Sequence, residues 1–482
     1  MWNRMNGSMM FSQMMFGLSF YGVMIILTRF FLEKLNYSEA NTMMVVGAFS
    51  AIGPLFAIAG GVIADKFLGS YRSLTISFIT FAIGYGLLVW GGSQVSVPIS
   101  LIGIALASYA RGLMGPSYPN LFKATFDSQE DFENGYPVNY SVNNVGALIG
   151  QYFFPLLVLY IGFSGSFTLS MILAALAVVA MLSIHKPLVA RAQDIDKEPV
   201  SSKNWISFTV ASVVLVAFVF FMFSNMEVGK YIVYAIGGGS LLYFAFMMLK
   251  ENHSRKLRMG TILIMVLLTT VFHIYYGQMM TSMTIVAINT MRGDLFGIIP
   301  IAPEGSMAMN PFWCIVAGPV LTFIFTKLEK NNICFSTATK VSFAFVLTAI
   351  AFGVLTMAIL NIGEDVVIRP WVFFVIHLFQ AFAEVIVGSL VMAFILSVAP
   401  KAISNFSASL FYVATALSGI IGAVFSTSIA LEKGQKLTQT LAHDLYGHYF
   451  MLLTVWAVIM VVVALIASFI ISRMLNSAEQ SE

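Results

Sequence analysis

Cysteine is nearly absent from this sequence and charge is scarce. Two cysteines, Cys314 and Cys334, occur in 482 residues, which leaves no disulfide framework and no metal-ligand spacing. Charged residues make up 10% of the chain, against about 25% in soluble domains. Also lacking are a nucleophile–base pair, a cofactor loop and a cleavable leader, since MWNRMNGS runs straight into an apolar stretch. No enzyme, no cofactor, no metal and no nucleic-acid partner is therefore expected. What fills the chain is apolar. It is 59% hydrophobic, with a mean hydropathy of +0.88. An integral membrane protein follows. It is expected to be all-α, because the apolar runs are long and unbroken where a barrel would show short alternating strands.

Fourteen apolar spans fall between residues 8 and 473. Each is long enough to cross about 30 Å of hydrocarbon at about 1.5 Å per residue. Of the 25 basic residues, seventeen lie on one set of loops, six on the opposite set, and two, Arg29 and Arg111, inside spans. The positive-inside rule then puts both termini in the cytoplasm. The polar stretch 185–204 divides the chain. The expected layout is an N-terminal six-helix bundle over 1–184, a cytoplasmic linker over 185–204, an inserted transmembrane hairpin over 205–250, a C-terminal six-helix bundle over 259–473 and a tail over 474–482. Two six-helix bundles suggest a transporter with a central cavity. The acidic run DSQEDFEN (127–134) is either a solvated loop or a partner for the basic linker.

A few charges sit where they are costly. Glu384 lies mid-span in HLFQAFAEVIVGSLVMAF (377–394), where a charge costs roughly 2.5–3.5 kcal/mol and so faces protein or water. His377 and Gln380 share its helical face. This stripe reads either as a cavity wall, with Glu384 and His377 as proton-coupling candidates, or as a structural hydrogen-bonded triad. Arg111 and Tyr118 share a face in ASYARGLMGPSYPN (107–120); Arg111 and Arg29 each either point into a cavity or snorkel to the interface. Gln278 polarises the ninth span. In GGVIADKFLGSYR (60–72), Asp65, Arg72, Gly61 and Gly69 read as a tight cytoplasmic turn with a charge clamp that gates. The first span holds FSQMMFGLSFYG (11–22), uncharged, with Gly17, Ser19 and Gly22 opening gaps on its surface.

Four motifs in order carry a resemblance. GGVIADKFLGSYRSLTI (60–76) resembles the loop motif of the major facilitator superfamily, in the form GGxxADxxxGxxxTI of the proton-dependent oligopeptide transporter family. NYSVNNVGA (139–147) is similar to that family's FYxxINxGS, matching at Tyr140, Asn144 and Gly146 and departing at Asn139, Asn143 and Ala147. SMAMNPFWCIVAGPVL (306–321) and AEVIVGSLVMAFILSVAPKAISN (383–405) look like its eighth and tenth core helices. The resemblance covers essentially the whole chain and implies a major facilitator fold, two six-helix bundles plus a two-helix insertion, fourteen spans in all.

The family's first-helix motif ExxERFxYYG, aligned on Tyr21 and Gly22, places Gln13, Phe16 and Gly17 where it has Glu, Glu and Arg. Tyr118 stands in place of the family's lysine, and Met24 in place of a further arginine. The chain is thus an atypical member. By resemblance, Glu384 takes a substrate amine with Asn144 and Asn310 as amide companions, and Tyr140, Tyr21 and Tyr118 stand at pocket positions. The usual carboxylate-receiving charges are lost. Arg111 is the candidate replacement, about two helical turns from the lysine position, and Gln278 is a further polar candidate for the substrate-binding set. The implied activity is secondary active transport of an amine-bearing peptide or peptide-like metabolite by alternating access, with protons coupled through Glu384. The expected setting is a monomer in the lipid bilayer of a bacterial inner membrane. Two alternatives stand: an exporter or uncoupled facilitator of a non-peptide amine or carboxylate metabolite such as a siderophore, and a non-transporting receptor or scaffold.

Overall fold

The computed structural model describes residues 3–400 and 403–480; Lys401, one of the basic residues counted above, lies outside them. The N-terminal part holds α1 (Arg4–Arg29), α2 (Glu39–Ile63), α3 (Ser70–Ser93), α4 (Val97–Ala124) and α5 (Gln129–Ser183). Two short helices follow, α6 (His185–Arg191) and α7 (Asp194–Lys197), then α8 (Ser202–Ser224) and α9 (Met226–Lys250). The remainder is α10 (His253–Gly277), α11 (Ser282–Thr290), α12 (Met309–Lys330), α13 (Thr337–Leu360), α14 (Pro370–Val398), α15 (Ser404–Ser426), α16 (Gln439–Leu441) and α17 (His448–Gln480). Among the described residues the only β pairing is two isolated bridges.

Among the described residues, thirteen helices are long and apolar enough to cross a membrane. One of them, Glu130–Ser183, turns at Gly162, whose φ of 66° and ψ of 179° no helix contains. Glycine reaches that conformation without the Cβ clash that would bar other residues. The helix is therefore two spans, which restores the fourteen read from the sequence. The ninth span is also broken. Residues 278–281 leave the helix between α10 and α11, with Thr281 at φ −118° and ψ −96°.

Two compact units divide the chain: Met1–Tyr37 with Ala48–Lys230, and Ser38–Gly47 with Tyr231–Glu482. The inserted hairpin does not stand apart as a separate segment. Its first helix, α8, packs on α4 in unit 1, burying Phe208, Val219, Met222 and Phe223. From Tyr231 onward α9 belongs to unit 2, where Gly237 meets Leu417 and Phe244 faces Phe406. Only 22% of the α8 apolar window and 17% of the α9 window are buried, so both helices present most of their surface to lipid, as their uniform apolarity predicts.

Unit 1 is built on the pairing of α1 with α5. Asn3 opens α1 with a capping box, accepting from Met5 N and Asn6 N while Asn6 accepts from Asn3 N. Along α1 the gaps left by glycine are filled by backbone. A Cβ on Gly17 would lie 2.7 Å from the Asn143 carbonyl oxygen, and one on Gly146 would lie 2.6 Å from the Met14 carbonyl oxygen. Gly150 meets Leu18 in the same way. Small residues let membrane helices approach to backbone contact. The uncharged, glycine-notched stretch at 11–22 is thus first a packing seam. Beside it Phe16, Phe20, Phe49 and Phe81 form an aromatic cluster with ring centroids 5.2–6.0 Å apart.

The linker is ordered against unit 1. Arg191 pairs with Asp127 at 2.7 Å across two exposed side chains, so the acidic run does engage the basic linker, through a bond of little energy. Arg29 pairs with Glu33 one turn on, Nε to Oε1 at 2.8 Å.

Candidate functional site

The mid-span carboxylate of unit 2 is surrounded by neutral donors. Tyr276 donates its hydroxyl to Glu384 Oε1 at 3.1 Å, and Asn310 donates Nδ2 to Oε2 at 3.0 Å. Cys314 Sγ lies 3.5 Å from Oε2. These donors come from α10 and from successive turns of α12, so three helix contacts aim at one side chain. No ion pair to Glu384 occurs among the described residues. A carboxylate whose partners are all neutral keeps, when ionised, charge-assisted bonding capacity for a cation from outside. The structure thus brings Asn310 to Glu384, as expected. Cys314 and Tyr276 are additions that the sequence did not single out.

Gln278 does something else. Its Oε1 accepts from Ser282 at 2.6 Å, Ser426 at 2.9 Å and Tyr449 at 2.6 Å, and its Nε2 donates to the carbonyls of Ile274 and Gly422. Every bonding position of this fully buried amide is used. It sits at the break between α10 and α11 and ties the loosened backbone to α15 and α17. The substrate-binding role expected for Gln278 is replaced by a structural one.

Unit 1 carries a cavity of about 230 Å³, lined by Gln13, Phe16, Tyr21, Arg111, Tyr118, Asn139, Tyr140 and Asn143 among others. Arg111 faces it as the lone charged residue of the lining. Its guanidinium donates to the Ser50 carbonyl at 3.1 Å and lies 4.9 Å over the Phe20 ring, while its stem crosses Gly53, where a Cβ would meet Cδ at 2.6 Å. Of the two readings left open for Arg111, the cavity is the one realised. Tyr118 lines the same cavity, but its hydroxyl is committed: it lies 2.7 Å from Asn139 Oδ1 and 3.0 Å from the Met9 carbonyl. Asn144 donates to the Tyr140 carbonyl one turn back in α5.

The turn after α2 is clamped by Arg72 and Gly69 of the expected set, but not by Asp65. Asp65 is exposed and makes no side-chain hydrogen bond or ion pair among the described residues. Gly61 has only Pro116 at 3.9 Å, and it is the neighbouring Gly60 that packs against the backbone of Gly112. Arg72 holds the turn instead, donating to the carbonyls of Leu68, Ile195 and Glu198 at 2.9, 3.1 and 2.6 Å. The linker answers with Asp196, which is 3% exposed and accepts from Ser70 N and Tyr71 N at 3.2 and 2.8 Å. It acts as the N-terminal cap of α3, at the positive end of the helix dipole. Gly69, at φ +82°, sits directly under that carboxylate, where any Cβ would collide.

Burial pushes the Asp196 carboxyl above the usual aspartate range, while the two backbone donors and Arg72 pull it down. The folded chain therefore binds this proton more readily than the unfolded one. The contribution of Asp196 to stability is greatest below the unfolded pKa of about 3.9 and declines as pH rises through the raised value. Asp196→Asn keeps the cap and removes this slope, whereas Asp196→Ala costs about 1 kcal/mol and frees the linker. Thermal unfolding against pH, with limited proteolysis of 185–204, checks both; equal proteolysis of the two variants would rule out the clamp.

Two further carboxylates escaped the sequence reading. Glu39, the first residue of α2, accepts from Asn289 Nδ2 at 3.0 Å and from Leu431 N at 2.8 Å within unit 2. Glu304, placed in a loop by its neighbours in sequence, is 1% exposed. The one available signal was their position beside a span start, where a carboxylate is ordinarily solvated.

The comparisons agree with this architecture. The profile PTR2, described as the POT family, matches residues 42–440, and the chain belongs to that family. The dipeptide and tripeptide permease B of Xenorhabdus bovienii is 26% identical over 420 residues, covering 86% of this chain and 85% of the permease. A solved bacterial homologue of the human drug peptide transporters PepT1 and PepT2 superposes with a TM-score of 0.84 at 21% identity, covering 98% of this chain and 99% of that one. A solved peptide transporter described as tetrameric, PepTSo2, reaches 0.86 at 21% identity with the same coverage. The fold is thus that of the POT transporters, a major facilitator fold.

Proposed function

We propose that this chain moves peptides, or peptide-like molecules with a free amine, across a bacterial inner membrane by alternating access, with Glu384 receiving the amine and Arg111 the carboxylate. The observation that carries the reading is Glu384: an anion with three neutral donors and no cation of its own. A substrate ammonium matches the uncompensated carboxylate of Glu384, and Arg111 is the cation available to a carboxylate. The relatives named as dipeptide and tripeptide permeases support a peptide. Asn310 and Tyr276 orient the receiving carboxylate. Tyr21, Tyr118, Tyr140 and Asn143 are polar walls of the unit 1 cavity, and Asn144 is bonded to the Tyr140 carbonyl. Protons couple through Glu384, with His377 as relay. The reading includes cytoplasmic termini, a monomer as the working unit, and no enzymatic reaction.

Thermal unfolding of the purified protein against a panel of ligands tests it. Di- and tripeptides at 100 times their dissociation constant are expected to add about 2.7 kcal/mol to the native state. Stabilisation by polyamines or amino-polycarboxylates alone would reassign the substrate class. That outcome is the one the missing first-helix charges at Gln13, Phe16 and Gly17 would favour. No counterflow of any stabilising ligand in proteoliposomes would leave a receptor or scaffold.

A further inference from the structure

Glu304 opens the 3₁₀ turn Glu304–Ala308, which packs against α11, α12 and α14 in unit 2. Residues three apart in a 3₁₀ turn eclipse, so Glu304 shares a face with Met307. Met307 Sδ accepts from Thr284 Oγ1 of α11 at 3.4 Å. The preceding residue of α11, Met283, has its Sδ 3.2 Å from Gln380 Nε2 of α14. Turn, α11 and α14 thus meet at one junction. His377 lies one turn before Gln380 on the same face of α14, just as Glu304 lies one turn before Met307. Glu304 thus opens the turn that packs on α14, and His377 lies seven residues into that helix.

The junction also holds bonding capacity that protein does not fill. His377 is 1% exposed and neither ring nitrogen has a hydrogen-bond partner; Gln380 Oε1 is likewise buried and unpartnered. Nine buried polar groups in ten are bonded, and such clusters are where internal water resides. Seven residues beyond His377, two turns along the same face, stands Glu384.

We propose that Glu304 is the proton-binding carboxylate of the outer half of unit 2, connected to Glu384 by His377 and Gln380 through internal water. The inference rests on the transporter reading above and adds the station where the proton enters. A proton bound on Glu304 passes to one imidazole nitrogen of His377. The ring releases the proton of its other nitrogen, and water at Gln380 Oε1 delivers it to the Glu384 carboxylate; only O–H and N–H bonds change. An imidazole with both nitrogens unclaimed by protein is suited to this exchange. Few competing charges face it. The sequence has no Lys or Arg over 282–290, 304–326 or 370–398. At the inner end of the route the titratable neighbours of Glu384 are Cys314 of α12 and Tyr276 of α10. The route supplies a carboxylate that α1 lacks, since Gln13, Phe16 and Gly17 carry none.

Proteoliposomes test it by comparing peptide uptake driven by a pH gradient with peptide counterflow, which needs no net proton movement. In Glu304→Gln and in His377→Leu, the ratio of driven uptake to counterflow is expected to fall about ten-fold or more, with partial recovery in Glu304→Asp. Gln380→Leu, an uncharged change, should lower the same ratio and covers the case in which Glu304→Gln fails to fold. An unchanged ratio in Glu304→Gln and His377→Leu overturns the route. Wild type that shows counterflow without driven uptake also overturns it while leaving transport standing. Wild type without counterflow overturns the transport reading itself.

Discussion

Glu384→Gln is expected to weaken binding of free-amine peptides by about 30-fold to several-thousand-fold, because truncating one partner of a buried charged pair costs roughly 2–5 kcal/mol. The substitution is nearly isosteric. An amide can still accept from Asn310 or Tyr276, which today donate at 3.0 and 3.1 Å. What it cannot do is offer two acceptor oxygens and a charge to an ammonium. The discriminating measurement is a cycle across protein and ligand. The ratio of dissociation constants for an N-acetylated and a free dipeptide should be large in wild type and close to one in Glu384→Gln. A ratio preserved in the variant would mean that the amine binds elsewhere. A Glu384→Ala variant would be less informative, since it strands Asn310, Tyr276 and Cys314 without an acceptor.

The proposed carboxylate-binding role of Arg111 makes a second prediction. Loss of its charge-assisted bonds should cost about 1.5–3 kcal/mol, or roughly 10- to 150-fold in affinity, for peptides with a free C-terminus. C-amidated peptides should lose little. Arg111 also has structural duties. It donates to Ser50 O, lies on Phe20 and fills the space over Gly53, so Arg111→Ala removes packing together with charge. Arg111→Lys keeps the stem and the charge but loses the planar fork, and it separates the two roles. Selective loss for free-carboxyl peptides in both variants supports the assignment. Equal loss for free and amidated peptides in both would make Arg111 a brace between α4 and α2.

Much of the fold was legible because membrane burial leaves a coarse signal. Every span must satisfy its own backbone, and so it announces itself as an apolar run. Even the fold-back at Gly162 left a short gap between predicted spans. What the runs could not show was allegiance. Nothing in α8 or α9 indicates that one packs on α4 and the other on α15, since both are apolar all round. The site was half legible for a related reason. A carboxylate in mid-span, Glu384, is conspicuous, and Asn310 came with the family motif. Gln278 looked like a ligand because a polar residue in a span invites that reading, while the helix break it repairs is invisible in sequence. Asp65 and Asp196 show the converse. The motif residue lies exposed, and an aspartate in an unremarkable linker is the one that caps α3. Glu304 was hidden by a boundary, because the 3₁₀ turn that buries it carries no periodicity a short window can detect.

The seam between α1 and α5 bears on how this chain can change over generations. Gly17 stands where the family's first helix has arginine, and the Asn143 carbonyl now occupies the space beside it. Gly146 and Gly150 press equally close from the other side. A single codon change that returned a long side chain to position 17 would meet backbone, and overpacking of that kind costs about 1–3 kcal/mol or more. Sites in direct contact do not add independently, so a long side chain at position 17 would have to come with changes at Asn143, Gly146 and Gly150 that reopen the seam between α1 and α5.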